Sequence, residues 1–498
     1  MKSKFTILTM ALALSVGCSN FTYAAPAEQP KMGTACDLKS DMRNLWEDHI
    51  QWTRNVILNV LDDLPGTSQA VARLLKNQED IGNAIKPFYG EAAGNQLTTL
   101  LKEHITVAAD LLTALKTDNT AAFNTANAQW IANADAIATF LSSANPNWPV
   151  TDMKEMMHSH LNLTAAEALA RKQHNYAADV MAYDNVQNEI LEMADMLTVG
   201  IVKQFPNKFS GCGLREIMQH DGKPVPCDLE TTMAKLWEDH ITWTRNVILN
   251  VIDDLPGTTE AVNRLLQNQV DIGNALKPYY GTAAGDQVSA LLTTHITTAA
   301  TLLTALKNND QATLSTANAA WYSNADDIAR ALSSLNPAWS YAEMKKMMDM
   351  HLDLTKNEAV ARKTANYDAD IAAYDDVHHE ILEMADMLSE GVVQQFRNQF
   401  SGCPLTTGNG SMKPGVLQQN SPNPFSNNTV ISFNLPSSIG KAQLIIADES
   451  GFVVKTFMLT QRGQGNVMFD GSLLRSGVYS YSIIADGQVL ESRKMLHQ

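Results

Sequence analysis

Hydrophobic residues recur along the first four-fifths of the chain with the spacing of amphipathic helices. The first stripe has intervals of four, three and four residues and consists of Leu45, His49, Trp52 and Val56. Further stripes follow, separated by Pro, Gly or Asn breaks, at 71–81, 97–111, 130–141, 153–157 and 176–202. About six helices joined by short breaks predict an antiparallel helical bundle.

This helical pattern is written twice, because residues 36–212 recur as residues 227–403 at a constant offset of 191. The hexapeptide Leu-Trp-Glu-Asp-His-Ile, for example, occupies 45–50 and again 236–241. Such self-similarity predicts two tandem bundles, repeat 1 and repeat 2, joined by a linker at 213–226. We expect each repeat to be a self-contained module.

A local signal inside each repeat predicts the start of a further helical turn. Residues 164–167 have the Thr-x-x-Glu pattern of a capping box, and residues 355–358 repeat it. The acid pair Glu47-Asp48, in contrast, has no feature that separates it from ordinary charged residues.

The first 27 residues have the layout of an export signal. Positive charge precedes a short apolar run at 5–17, and small residues follow at 24–27. The run is shorter than the ~20 residues of a membrane-spanning helix, and we expect no transmembrane segment later in the chain. We predict a cleaved signal peptide at 1–27, with lipidation at Cys18 as the alternative.

The other four cysteines open and close the two repeats. An even number of cysteines in an exported chain favours disulfides over redox or metal chemistry. An even number of antiparallel helices returns the chain to its starting end, which favours the pairs Cys36–Cys212 and Cys227–Cys403. A clasp between Cys212 and Cys227 across the linker is the alternative.

The charge balance limits the classes of partner. The chain has 37 basic and 53 acidic residues and a net charge of −16. Such a chain repels phosphate backbones, so we expect no nucleic-acid partner. The sequence also has no Gly-x-Ser-x-Gly elbow and no phosphate loop. We therefore favour a non-enzymatic protein, and a hydrolase without metal ranks third, behind the two hypotheses given at the end of this subsection.

The pattern changes to strands behind a Gly/Ser/Thr-rich linker at 404–418. Residues with β-branched or aromatic side chains form runs at 430–433, 442–446, 453–457 and 478–483. Turn residues, among them Gly451, Gly465 and the pair at 486–487, bound these runs. This rhythm predicts a small β-sandwich at 419–498, and hence a mainly α protein with a C-terminal β domain.

Several motifs of the tail occur in a characteristic order. They are Asn-Ser-Pro-Asn-Pro-Phe at 420–425, Leu-Pro at 435–436, Asp-Glu-Ser-Gly at 448–451, Ser-Gly-Val-Tyr-Ser-Tyr at 476–481 and Lys-Met-Leu at 494–496. In these motifs the tail resembles the C-terminal sorting domain of type IX secretion cargo, the Por secretion tail. The resemblance implies as motif residues Asn423, Pro424, Gly477, Tyr479 and Lys494. It also implies a type IX translocon as partner, and passage through the periplasm to the medium or the outer cell surface.

Three pairs of equivalent histidines lie on the apolar stripes of the repeats. They are His49 and His240, His104 and His295, and His160 and His351. A carboxylate, Asp184 in repeat 1 and Asp375 in repeat 2, borders the buried face of the last helix. Imidazoles with a carboxylate suit zinc, iron, manganese or copper, and helical bundles build such sites from facing helices.

The same histidines also fit a buried hydrogen-bond network that fixes helix register. A ferritin-like di-iron centre is disfavoured, because no Glu-x-x-His pair is matched in both repeats. Our first hypothesis is therefore a secreted or surface protein whose helical modules bind a ligand or partner. The alternative is a metal-binding protein or metalloenzyme with one histidine-rich site per repeat.

Overall fold

A computed structural model of the chain describes residues 32–218 and 222–401, together with parts of the tail. These parts are 417, 420, 422–435, 442–448, 453–460, 463–472, 474–475, 477–485 and 488–497. The signal peptide, Cys18, Cys403 and most of the 404–418 linker lie outside the described residues. The chain divides after residue 402 into a helical unit and a β unit.

Repeat 1 consists of five helices, one of which is bent. They are α1 (Ala35–Leu61), α2 (Thr67–Lys116), α3 (Thr120–Ala144), α4 (Val150–Lys172) and α5 (Tyr176–Gln204). The bend in α2 lies at Gly90, whose φ of 85° is not helical. Counted as two segments at this bend, α2 gives the six helices that the sequence predicts.

Repeat 2 follows a short helix, α6 (Leu214–Ile217), within the predicted linker. It consists of α7 (Pro226–Ile252), α8 (Thr258–Tyr280), α9 (Thr282–Asn308), α10 (Gln311–Leu335), α11 (Tyr341–Lys363) and α12 (Tyr367–Gln395). The mainly α class is confirmed. The predicted capping boxes are wrong, because Thr164 and Thr355 lie in the interiors of α4 and α11.

The two repeats pack into one compact unit rather than into two self-contained modules. The reason is α1, in which residues 46–59 are buried apart from Thr53, so both repeats cover this part of the helix. The ring of Trp52 in α1 packs edge-on against Tyr374 of repeat 2, with centroids 5.6 Å apart. Trp243 in α7 makes the equivalent contact with Tyr183 of repeat 1. The repeats are thus related by a local two-fold arrangement about α1 and α7.

The disulfide that the structure describes joins the repeats instead of closing one. Cys36 is bonded to Cys227, with their Cα atoms 5.7 Å apart, so both pairings considered for these cysteines are wrong. The physical reason is the two-fold packing, which brings the N-terminus of α1 beside that of α7. Cys212 is also disulfide-bonded, and its partner lies outside the described residues. The ends of repeat 1 do meet, since β1 (Met32–Thr34) pairs in parallel with β2 (Phe209–Ser210).

Helix α9 is the one described helix whose length and composition match a membrane span. In this fold it packs between α8 and α10, and its Leu292, Ile296 and Leu303 belong to the buried core. Its apolar character therefore has a role in core packing.

The β unit contains two antiparallel sheets. The strands are β3 (Asn428–Leu435), β4 (Ala442–Asp448), β5 (Val453–Leu459), β6 (Gly463–Asp470), β7 (Gly477–Ala485) and β8 (Gln488–His497). One sheet pairs β3 with β6, and the other has the order β5-β4-β7-β8. Phe433, Ile446 and Tyr481 share one core that both sheets cover. The four predicted strands are confirmed, but β6 and β8 were missed, and Gly465 lies within β6 opposite Phe433 rather than in a turn.

Candidate metal centre

The matched histidines of each repeat come together inside the bundle. In repeat 2, His240 of α7, His295 of α9 and His351 of α11 are each 2 % exposed. Their ring centroids are 5.4–6.1 Å apart. The equivalent rings of repeat 1 also meet, with His160 5.6 Å from His49 and 6.3 Å from His104. Helical spacing places each histidine on the apolar stripe of its helix, and the stripes face one interior.

The histidines of repeat 2 are close enough to share one ion. One nitrogen from each of His240, His295 and His351 lies within 4.8 Å of the others, and no other group of three His, Cys, Asp or Glu residues in the described part of the chain does so. Metal–nitrogen bonds of ~2 Å place tetrahedral ligands about 3.3 Å apart. Nitrogens that lie up to 4.8 Å apart would therefore have to approach one another by up to about 1.5 Å to share an ion.

In each repeat a glutamate carboxylate contacts one histidine of the cluster, His160 in repeat 1 and His351 in repeat 2. Nδ1 of His351 lies 2.9 Å from Oε2 of Glu380, and Nδ1 of His160 lies 3.2 Å from Oε2 of Glu189. An ionised carboxylate only accepts, so the imidazole donates through Nδ1 and keeps the Nε2 lone pair for a ligand. This carboxylate–histidine arrangement is the one that commonly fixes ring orientation behind a metal.

Burial lowers the pKa of two histidines in each cluster. Desolvation, and then the neighbouring rings, hold the pKa of His240 well below its ordinary value and lower the pKa of His295 to about 3. The same causes act on His49 and lower the pKa of His104 to about 3. Neutral imidazole is the form that binds a metal ion.

One tryptophan distinguishes the two repeats. In repeat 1, His104 Nδ1 donates to Asn133 at 2.9 Å, and Trp130 Nε1 donates to His104 Nε2 at 3.1 Å. Both ring nitrogens of His104 are therefore occupied. In repeat 2 the equivalent indole nitrogen, that of Trp321, has no hydrogen-bond partner among the described residues. The rings themselves are placed almost alike, with centroids 5.3 Å apart for His104 and Trp130 and 5.2 Å apart for His295 and Trp321, so the two pairs differ only in this hydrogen bond.

The predicted carboxylate ligands lie elsewhere. Asp184 accepts hydrogen bonds of 2.9–3.0 Å from Arg264 of repeat 2, and Asp375 accepts two of 2.9 Å from Arg73 of repeat 1. Each is therefore an ion-pair partner across the repeat interface and not part of the histidine cluster. The hydrophobic stripe placed them near a buried face, but that face meets the other repeat.

Sequence reasoning missed a second buried polar cluster around Arg54. Its guanidinium lies 2.7 Å from Glu167, 2.9 Å from Asp179 and 2.9 Å from Asn246, and Arg245 repeats the arrangement in repeat 2. Glu47, treated above as an ordinary charge, is 3 % exposed, and burial holds its pKa well above the ordinary value. The available signal was that apolar residues such as Trp46 and Ile57 lie outside the first stripe of α1, which indicated a buried surface wider than that stripe.

The predicted motif residues of the tail lie mainly on its last two strands. Asn423 Oδ1 accepts a hydrogen bond of 2.8 Å from the backbone of Leu496, which attaches the Asn-Pro segment, including Pro424, to β8. Tyr479 on β7 donates to the carbonyl of Arg475 at 3.0 Å. Gly477 opens β7, and Lys494 on β8 pairs with Ser480.

Comparison with known proteins finds one match, and it covers the tail. Residues 421–497 match the family model described as a secretion system C-terminal sorting domain. No curated protein and no solved structure matches the chain. A tail of this family indicates export through type IX secretion to the medium or the cell surface. The chain therefore carries, at its C-terminal end, a sorting domain of the type IX secretion family.

Proposed function

We propose that this exported protein is a metal-binding protein whose site is formed by His240, His295 and His351. The observation that carries the proposal is the presence of three buried nitrogen donors within 4.8 Å of one another. In this proposal the helical unit binds a transition metal ion. No catalytic activity is assigned to the unit.

The donor set narrows the choice of metal. Imidazole nitrogen suits zinc, copper and iron, whereas manganese prefers carboxylate and water oxygen. Non-haem iron in oxygenases commonly takes two histidines and one carboxylate, and here Asp375 is paired with Arg73 instead. Three imidazoles without a directly coordinating carboxylate therefore favour zinc or copper.

The surroundings offset part of the cost of a buried cation. His240, His295 and His351 are neutral ligands, so they leave the charge of the ion uncompensated in a region of low dielectric constant. Glu380 is 3 % exposed and contacts His351. The carboxylate therefore influences the ion through its hydrogen bond to one of the three ligands. Such outer partners raise the basicity of the ligand and commonly affect metal affinity 10–100-fold.

Repeat 1 is the weaker site in this proposal. An ion there would compete with the hydrogen bond between Trp130 and Nε2 of His104. A buried hydrogen bond is worth about 1 kcal/mol, which corresponds to a several-fold loss of affinity. We therefore expect one tightly held equivalent per chain, with a second equivalent only at higher concentration of the metal.

The test is metal analysis of the purified full chain after incubation with zinc or copper and dialysis. We expect one retained equivalent, its loss in His351→Gln, and its retention in His104→Gln. Thermal unfolding provides a second readout, since a ligand at 100 times its dissociation constant stabilises the folded state by about 2.7 kcal/mol.

His174→Ala is the matched control for a lost imidazole. His174 has a φ of 57°, and its equivalent in repeat 2, Ala365, has the same φ, so alanine fits this backbone. This variant should bind metal like the unchanged chain. If the unchanged chain retains no metal and neither metal raises its unfolding temperature, the histidines form only a structural hydrogen-bond network and the proposal is wrong.

A further inference from the structure

A small cavity adjoins the histidine cluster of repeat 2. Its volume is about 20 Å³, and the nitrogen ligands proposed above are part of its lining. Most of the remaining wall is apolar, with Val247, Leu265 and Leu303 among the contributors. A space of ~10–15 Å³ holds one water molecule, so a ligand about the size of one or two water molecules fits.

Polar groups in the same wall are unpartnered. Besides Nδ1 of the proposed ligand His295, they are the hydroxyl of Thr355, the hydroxyl of Thr244 and the indole nitrogen of Trp321, none of which has a hydrogen-bond partner in the described part of the chain. Thr355 is 6 % exposed and Trp321 is 2 % exposed. A buried polar group without a partner costs about 1–3 kcal/mol, so three such groups around one cavity point to a ligand that would satisfy them.

We propose that the metal bound by His240, His295 and His351 keeps one coordination position open to this cavity and binds a small inorganic anion there. This inference rests on the proposed metal site. Three protein ligands leave the fourth position of a tetrahedral ion to an exogenous donor. The anion is a hydroxide in water, and a compact anion such as azide can replace it.

The chemistry of the wall favours an anion over a cation or a bulky ligand. The indole nitrogen of Trp321 is a donor only, and a threonine hydroxyl can also donate. Both would therefore stabilise negative charge on an atom bound to the metal. The apolar groups opposite exclude larger molecules by their volume, which predicts selection by size.

The experiment uses cobalt(II), whose visible absorption reports coordination number, added to the metal-free full chain. We expect a four-coordinate spectrum that azide changes saturably and that acetate, a bulkier anion, leaves unaltered. Thr355→Val removes one hydroxyl at nearly constant volume. It should weaken azide binding roughly tenfold, because a hydrogen bond to a charged group is lost, while one equivalent of cobalt is still bound.

Thr164→Val is the matched control, because Thr164 is the equivalent residue of repeat 1 and its hydroxyl is likewise unpartnered among the described residues. It should leave azide binding unchanged. If cobalt binds with its four-coordinate spectrum but azide has no effect, the open position is refuted and the metal site stands. If cobalt does not bind at all, the metal site and the anion site are both refuted.

Discussion

Replacing Arg54 by methionine should destabilise the helical unit strongly. Arg54 is 2 % exposed, and its guanidinium contacts the carboxylates of Glu167 and Asp179 and lies 5.0 Å from the ring centre of Trp243. Removing one partner of a buried ion pair costs about 3–5 kcal/mol, because the other charge stays buried. The lost cation–π contact adds about 1 kcal/mol. We therefore expect a loss of about 4–6 kcal/mol.

The assay is urea unfolding of the full chain, followed by helical circular dichroism. Arg43→Ala is the control, since Arg43 lies on the same helix in a partly exposed ion pair with Asp195, and repeat 2 has Ala234 at this position. This control should cost about 1 kcal/mol. A loss below 1 kcal/mol in Arg54→Met would refute the reasoning, because the buried carboxylates would then tolerate the missing cation.

Three further outcomes follow from particular contacts. Peptide mapping without reduction should recover Cys36 linked to Cys227, and replacing both by serine should lower stability by up to ~5 kcal/mol, given a sequence separation of 191 residues. Gly200→Ala should cost ~1–3 kcal/mol or more in thermal unfolding, because the new Cβ would lie 1.9 Å from the indole nitrogen of Trp148. Burial raises the pKa of Glu167 from 4.5 to about 7, so its contribution to stability is full below pH 4.5 and is lost as pH rises through 7. The Glu167→Gln variant should show a flatter pH profile of stability over this range, and an unchanged profile would contradict the assignment.

Local patterns predicted the elements of this fold well. Helical periodicity predicted the helices of the helical unit, and the bend at Gly90 explains why α2 counts as one helix or two. Strand β6 was missed because Gly463 and Gly465 lie within it. Glycine is uncommon in strand interiors and common in turns, so these residues indicated a turn. Strand β8 was missed because charged residues interrupt its apolar alternation.

Packing between the repeats could not be predicted from those patterns. A hydrophobic stripe shows that a face is buried but does not show against which repeat. The histidines were placed correctly because their stripes face the interior of their own bundle. Asp184 was misplaced because its face meets Arg264 of the other repeat. The predicted cysteine pairing was wrong for the same reason. That prediction used only the fact that the two ends of one repeat lie close together, and this fact does not determine which residues of the other repeat lie beside them.

The contacts between the repeats have the form of an isologous dimer interface. Arg54 binds Asn246 at 2.9 Å and Arg245 binds the equivalent Asn55 at 2.9 Å, so this contact is made twice. Cys36 is bonded to its own equivalent, as a two-fold axis requires. Residues 32–218 expressed alone in an oxidising compartment should therefore form a homodimer linked through Cys36. Non-reducing electrophoresis and size-exclusion chromatography measure this directly. A stable helical monomer with a free Cys36 thiol would show that repeat 1 does not need the second copy to cover α1.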